Sequence, residues 1–409
     1  MSSNNILKNF KVYDDFLSKC NTVDKKNLLS LKMMYSIHME NNTLNNIFVA
    51  KQLFRFILKL LMIPFVKTTI NGIENKNAIL SEGDIEKDLS ERLNISLIDI
   101  KKRVTFNIGF FKIYKKIYNL VIILCSENRL KKRHILSLLH RLIDYLIVYH
   151  TVEINNIKLL LIENDRLPSN LALIHRLNEK NIKTVKYDNW LIGPINHNDI
   201  YCKYYFYPSF YHRDIIEKFS SNKNLTYIKG GFLNWDRLKK YVAQPKKKII
   251  YFTQFGIDIL THIKHIQDIQ DIIKSQNLEY ELIVKIHPRE NIQKYKTILT
   301  VNKNIKLLDR DKDSYTLISE ANFCFSIFST ISLEAKHIMN NSYFLNYKVD
   351  EFDIVDYSKL NLDVIVDKKM LENVLIGNYK PIEQNKFIEI NNCLFPKTIT
   401  KIKELIAYE

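Results

Sequence analysis

The sequence predicts two Rossmann-like α/β domains facing a cleft, behind a helical N-terminal region. Three observations lead there. From about residue 157, short apolar runs alternate with segments of helical period, the mark of parallel, doubly wound sheets. The basic stretch Ala243-Gln-Pro-Lys-Lys-Lys248 interrupts this alternation as a linker, and the rhythm restarts beyond it. The chain of 409 residues leaves room for two to three domains with cores of ordinary size.

Residues 1–150 read as mostly helical, with few turn signals. Leu120 to Cys125 also fits a buried strand, because so short a run does not separate the two. Ile47 to Val66 is apolar but broken by Lys51, Arg55 and Lys59, so it falls short of a membrane span. Those cations sit four apart on one helix face, with Phe48, Leu53, Phe54, Ile57, Leu58 and Leu61 around the rest. Two readings stand: a helix packed on the protein's own core with its cations reaching out to water, or a basic amphipathic helix on an anionic membrane surface.

Ile157 to Ile162 (IKLLLI) is nearly continuous in apolar residues, as a strand buried on both faces must be. Pro168 to Lys180 has helical period, Lys183 to Tyr187 and Tyr204 to Tyr207 read as strands, and Tyr211 to Phe219 as a helix. Leu225 to Ile228 runs into a turn at Gly230-Gly231. After the linker, strands are expected at Ile249–Thr253, Tyr280–Ile286, Ile305–Leu308, Phe323–Phe328 and Tyr343–Leu345, with helices between them. The expected units are 1–242, 249–385 and a terminal segment 386–409.

Composition removes several classes. Lys and Arg total 61 against 44 Asp and Glu, a net charge of +17. An apolar fraction of 46% rules out wholesale disorder. Cys20, Cys125, Cys202, Cys324 and Cys393 are scattered without a CxxC, which excludes a disulfide scaffold or zinc ribbon and fits a reducing cytoplasm. With 8 glycines there is no GxGxxG and no GxxxxGK[ST]. There is no HExxH, no strand-end DxD and no Cys/His cluster, so no metal and no cofactor is expected. Asp309-Arg-Asp311-Lys-Asp313 reads as a solvated loop. The basic residues are spread out and no nucleic-acid-binding motif appears, so no nucleic-acid partner is expected. The opening residues lack a secretory-signal pattern, so the expected location is cytoplasmic.

Ligands of open α/β sheets sit beyond the carboxyl ends of the strands. Three such ends carry chemistry in the second half. The run YELIVKI ends on Lys285-Ile-His287-Pro288-Arg289, where the cations and the imidazole suit a phosphate and the same residues also suit a solvated turn. FCFSIF runs into Ser329-Thr330 at a helix start, which suits a phosphate or simple N-capping. Glu334 lies one turn further on. Thr253-Gln254-Phe255-Gly256 closes the first strand, with Gly256 allowing a tight turn near a ligand. In the first half, IKLLLI ends at Glu163-Asn-Asp165-Arg166, and KTVKY at Asp188; such strand-end carboxylates suit a cleft or, with Arg166 as partner, a solvated loop. His197 lies nearby in a polar loop.

A strand ending on His-Pro, then a strand ending on a hydroxyl pair followed by x-x-x-Glu-Ala, resembles glycosyltransferases of the GT-B fold. The closer resemblance is to bacterial enzymes that build capsule, lipopolysaccharide or teichoic-acid-like polymers: sialyl- and polysialyltransferases, and polyol-phosphate polymerases of the CDP-glycerol type. It spans about residues 157–350. It includes Gly231-Phe-Leu-Asn-Trp-Asp236-Arg-Leu, close to G-x-P-x-x-D-x-L but without the Pro. Ser-Thr stands here for the families' serine pair.

The resemblance implies an inverting, metal-independent transfer from a nucleotide-activated sugar, with a CMP-sugar such as CMP-sialic acid favoured, to a glycan or glycolipid acceptor. It implies that His287, with Lys285, Pro288 and Arg289, meets the donor phosphate and takes part in catalysis. Ser329 and Thr330 would meet the phosphate or nucleotide, Glu334 the ribose, and Thr253, Gln254 and Gly256 would line the donor side. Glu163 or Asp165 would act as the acceptor's base, with Asp188 as the second candidate. The last segment would cross back to the first domain, and the enzyme would sit in the cytoplasm, at the inner membrane surface. The rivals are a CDP-polyol phosphotransferase and, in another class, a basic nucleic-acid-binding or membrane-surface scaffold protein.

Overall fold

The computed structural model describes residues 3–21, 27–28, 46–71, 77–80, 84–104, 109–127, 130–154, 157–165, 167–188, 200–220, 222, 224–232, 235–299, 305–309, 313–327, 329–347, 360, 362–391 and 395–407. The first part opens with helices α1 (Ser3–Lys19) and α2 (Asn46–Met62) and strands β1 (Val66–Asn71) and β2 (Asn77–Leu80). Then come α3 (Asp84–Leu93), β3 (Ser96–Val104), α4 (Phe110–Ser126) and α5 (Lys132–Thr151). An α/β run follows: β4 (Leu159–Ile162), α6 (Pro168–Glu179), β5 (Lys183–Tyr187), β6 (Tyr204–Tyr207), α7 (Phe210–Phe219) and β7 (Thr226–Lys229). These strands form one sheet in the order β1-β3-β2-β4-β5-β6-β7. Every pairing is parallel except that of β1 with β3.

The first 150 residues are mostly helical, as expected, and β1, β2 and β3 also extend the sheet before residue 157. Leu120 to Cys125 is helical, inside α4. Its buried Ile113, Ile117, Leu120 and Leu124 recur every three to four residues and face the core.

The second part holds β8 (Lys248–Phe252), α8 (Ile259–Ser275), β9 (Glu281–Lys285), α9 (Ile292–Leu299), β10 (Ile305–Leu308), α10 (Ser314–Ser319), β11 (Phe323–Ser326), α11 (Thr330–Ile338) and β12 (Ser342–Leu345). It ends with β13 (Val364–Ile365), α12 (Lys368–Leu375), α13 (Gln384–Asn391) and α14 (Phe395–Ala407). The sheet order is β10-β9-β8-β11-β12-β13, parallel throughout. Counted along the chain, that is 3-2-1-4-5-6, the Rossmann order. The chain is therefore α/β with two Rossmann-like sheets. Strands such as LLLI and FCFS are buried along their whole length, as sheets covered on both faces require.

The joint between the two parts is held by specific contacts. Phe232 stacks on Trp235 at 4.4 Å, and Trp235 meets His337 of α11 at 5.4 Å. The linker donates Gln244 N–H to Ser319 O and Lys246 N–H to Glu320 O. Lys246 and Lys248 both pair with the Glu320 carboxylate, and these hydrogen bonds lower its pKa to about 2. Ile402 of α14 is buried with Ile79, Leu161, Val185 and Phe206 of the first sheet. Lys183 donates to Leu405 O at 3.5 Å.

Candidate functional site

In an open α/β sheet the ligand crevice opens where the strand order reverses. In the second sheet that point lies between β8 and β11, so it is flanked by the loop after β8 and the start of α11. Thr253, Gln254 and Gly256 are on the first side, and Ser329 and Thr330 on the second. His287, at the end of β9, is one strand away from β8. The geometry brings five of the expected donor residues to one reversal point, with His287 beside them.

Thr253 organises this edge. Its buried hydroxyl accepts the His287 N–H at 2.8 Å and donates to the Glu290 carboxylate at 2.5 Å. Glu290 also accepts the Tyr295 hydroxyl at 2.9 Å. The Arg289 N–H donates to His287 Nδ1 at 3.1 Å, so Nδ1 is an acceptor and the neutral ring carries its proton on Nε2. Burial, joined by Arg289 and opposed by Glu290, lowers the His287 pKa. The half-buried imidazole is therefore neutral at pH 7 and offers an Nε2–H donor. Phe255 stacks on it at 6.1 Å, and the Arg289 guanidinium lies over Phe255 at 5.7 Å. Gly256 turns at φ +93°, in the left-handed region that favours glycine, with open space where a Cβ would stand. Gln254 is tied to His262, whose Nδ1 meets Tyr251 at 2.8 Å.

Ser329 is the N-cap of α11 and accepts the Ile331 N–H at 3.4 Å. Both Ser329 and Thr330 are half-buried at a helix start, where the positive dipole end favours an anion. The motif's other serines turn inward. Ser326 and Ser332 share a 2.5 Å hydrogen bond, and Ser342 donates to Ser332 O at 2.9 Å. They lock β11 to α11 and leave Ser329 and Thr330 at the opening.

Two expected residues do not join the crevice in the predicted way. Lys285 is buried and donates to Asp309 O at the end of β10. Glu334 is buried and accepts the Tyr315 hydroxyl at 3.1 Å. Pro288 and Arg289 are exposed beside His287.

At the carboxyl edge of the first sheet, reasoning from sequence missed the decisive residue. Lys186 is a buried cation in β5, 3.5 Å from Asp165 and 3.1 Å from Asp188. It also donates to Glu163 O at 2.6 Å. Asp165 accepts the Tyr201 N–H at 3.0 Å and Asp188 the Tyr205 hydroxyl at 2.7 Å. Asp165 is 0% exposed, so the candidate base role does not suit it: its carboxylate holds the strand ends together. Asp188, at 1%, is buried likewise. Glu163 is half-buried at the same edge. The signal for Lys186 was present, since a lysine between Val185 and Tyr187 of an expected buried strand needs a buried anion. His197, Arg166 and Phe328 lie outside the described residues, as do the side chains of Asp236 and Arg237. Among the described residues, no group of three or more His, Cys, Asp or Glu is placed to hold a metal ion.

No protein-family model matches the chain, and no curated protein matches it. Among solved structures it is similar to the UDP-GlcNAc 2-epimerase of Methanocaldococcus jannaschii bound to UDP-GlcNAc and UDP. That match has 14% identity and TM-score 0.45, covering 66% of this chain and 82% of the other. It is also similar to HepE of Anabaena in complex with UDP and glucose (10%, 0.47, 82% and 100%). A third is the wall teichoic acid polymerase TagF soaked with CDPG (12%, 0.44, 88% and 94%). Likeness at this level carries no argument about chemistry; the strand order of this chain carries the fold.

Proposed function

We propose that this chain is a transferase that takes a nucleotide-activated sugar at the strand-order reversal of its second sheet. One observation carries the reading. A neutral His287 with an Nε2–H donor lies one strand from the point where the Thr253–Gly256 loop and the Ser329-Thr330 helix start flank the 3-2-1-4-5-6 sheet. These are donors suited to phosphate oxygens, and they need no rearrangement as charge develops on a leaving group.

In this reading the acceptor hydroxyl loses its proton to Glu163, and its oxygen attacks the anomeric carbon of the donor. The bond from that carbon to the phosphate oxygen breaks, and the nucleotide leaves with the electron pair. His287 Nε2–H and the N–H groups at the start of α11 meet its negative charge. Attack from the face opposite the leaving group inverts the anomeric centre. Asp165 and Asp188 act as positioning residues through Lys186. The motif resemblance favours a CMP-sugar donor in capsule or lipopolysaccharide synthesis, with a glycan or glycolipid acceptor. A CDP-polyol phosphotransferase is the second reading, favoured by the same His-Pro and hydroxyl-pair motifs; it differs in attacking phosphorus.

Thermal unfolding with CMP, CDP, UDP and GDP tests the reading. A ligand of the folded state stabilises by about 2.7 kcal/mol at a hundredfold excess over Kd. One nucleotide should raise the midpoint, and His287→Ala should abolish the rise. CMP points to sialyl-type transfer and CDP to polyol transfer. No shift with any of the four contradicts the donor site.

A further inference from the structure

The first part of the chain carries an apolar surface that its own core does not cover. Helix α2 packs on α5, yet its one fully buried residue is polar, Gln52. Lys59 also turns inward, to Asp144 at 2.5 Å and to His140 O at 3.3 Å. The outward stripe, spaced four and three residues apart, is Ile47, Lys51, Phe54, Leu58 and Leu61, with the exposed Phe65 in the turn just beyond the helix. Phe54 is 62% exposed and Leu61 64%. A soluble helix shows the reverse pattern.

Helix α4 adds exposed apolar residues on the side away from its buried Ile113, Ile117, Leu120 and Leu124. α4 also packs on α5, and the Tyr114 hydroxyl donates to Leu60 O at 2.6 Å, tying α4 to the end of α2. Its outward stripe is Phe111, Lys115, Tyr118 and Ile122, with Phe111 71% and Tyr118 68% exposed. The two helices carry Lys51, Arg55, Lys59, Lys112, Lys115 and Lys116 and no Asp or Glu. No helix among the described residues is long and apolar enough to cross a membrane.

We propose that the outward faces of α2 and α4 together form a docking surface for an anionic phospholipid bilayer. Charge complementarity selects this occupant. Exposed aliphatic and aromatic side chains enter the acyl boundary, and Lys51, Arg55, Lys112 and Lys115 meet lipid phosphates at the rim. Tyr118 has the amphipathic ring that suits the headgroup level. The docking surface lies in the first sheet's part of the chain, apart from the donor crevice, and does not depend on the identity of the donor.

The test is co-sedimentation of the full chain with phosphatidylcholine vesicles, with and without phosphatidylglycerol. Wild type should partition at least about tenfold better into the anionic vesicles, and added salt should weaken this. Phe54→Ser with Leu58→Ser and Leu61→Ser should lose at least about tenfold in partitioning. Lys51→Gln with Lys112→Gln and Lys115→Gln should lose the preference for anionic lipid. The midpoint of thermal unfolding shows whether each variant is folded. Phe54→Trp gives a second readout, a blue shift of its fluorescence on anionic vesicles. Absence of wild-type binding, or undiminished binding by both triple variants, overturns the proposal. So does a dimer that the apolar variant dissolves without any vesicle binding, which gives the face to a second copy. A missing blue shift overturns it too. Nucleotide stabilisation read in parallel separates failure here from failure of the donor site.

Discussion

Replacing Thr253 by Val keeps the shape of the side chain and removes one oxygen. That oxygen accepts the His287 N–H at 2.8 Å and donates to Glu290 at 2.5 Å. Both partners lose their bond at a position only 4% exposed. An orphaned buried group costs about 1–3 kcal/mol, more for a charged one. The Glu290 carboxylate is half-buried, so water replaces part of what it loses, and the sum lies near ~2 kcal/mol. At roughly 2–4 °C per kcal/mol, the melting midpoint drops by several degrees. The second consequence is functional. Thr253 fixes the backbone of the residue that offers Nε2–H, so nucleotide-induced stabilisation should weaken beyond the loss of stability. Thr253→Ser keeps the hydroxyl and should stay near wild type on both counts. Scanning calorimetry with and without nucleotide measures both. A Val variant as stable as wild type, with unchanged nucleotide response, would refute the assignment of Thr253 as the organiser of this edge.

Other outcomes follow from the same contacts. Lys186→Met strands Asp165 and Asp188 without their buried cation and should cost about 3–5 kcal/mol in urea unfolding; a loss under about 1 kcal/mol contradicts that role. Gly230→Ala puts a Cβ 1.8 Å from the buried Phe206 ring and should cost about 1–3 kcal/mol by the same measurement. Acid should destabilise the fold through histidines. Burial is the leading cause that lowers His140 to about 4 and also lowers His150, His262, His287 and His337. Their folded pKa values lie below the ordinary 6.5, so the unfolded chain binds more protons under that pH. The stability they contribute is whole above pH 6.5 and falls as pH drops towards about 4, the His140 value. A melting midpoint that is flat across this window contradicts the assignment.

The central strands of both sheets were legible because they are buried along their length. LLLI of the first sheet and FCFS of the second read as short, largely apolar runs bounded by turn signals. The early strands lacked that signal. β1 (VKTTIN) lies at the sheet edge, antiparallel to β3, and carries polar residues; β2 has four residues. The sequence located the His-Pro and Ser-Thr strand ends, since turn chemistry and hydroxyl caps are local. It did not show which side chains turn inward. Asp165, Lys285 and Glu334 were chosen for type and position, but each is held by a partner distant in sequence: Lys186, Asp309 and Tyr315. Likewise the exposed face of α2 is visible only once Lys59 is seen to reach Asp144.

The central claim is the place of the donor nucleotide, and hydrogen exchange of the backbone amides with and without the nucleotide that stabilises the protein tests it most directly. The account predicts slowed exchange in the amides of 253–257, 287, 289, 290 and 329–333, with the rest of both sheets unchanged. Protection confined to the carboxyl edge of the first sheet, around 163–165 and 186–188, would contradict it and move the nucleotide to the other part of the chain.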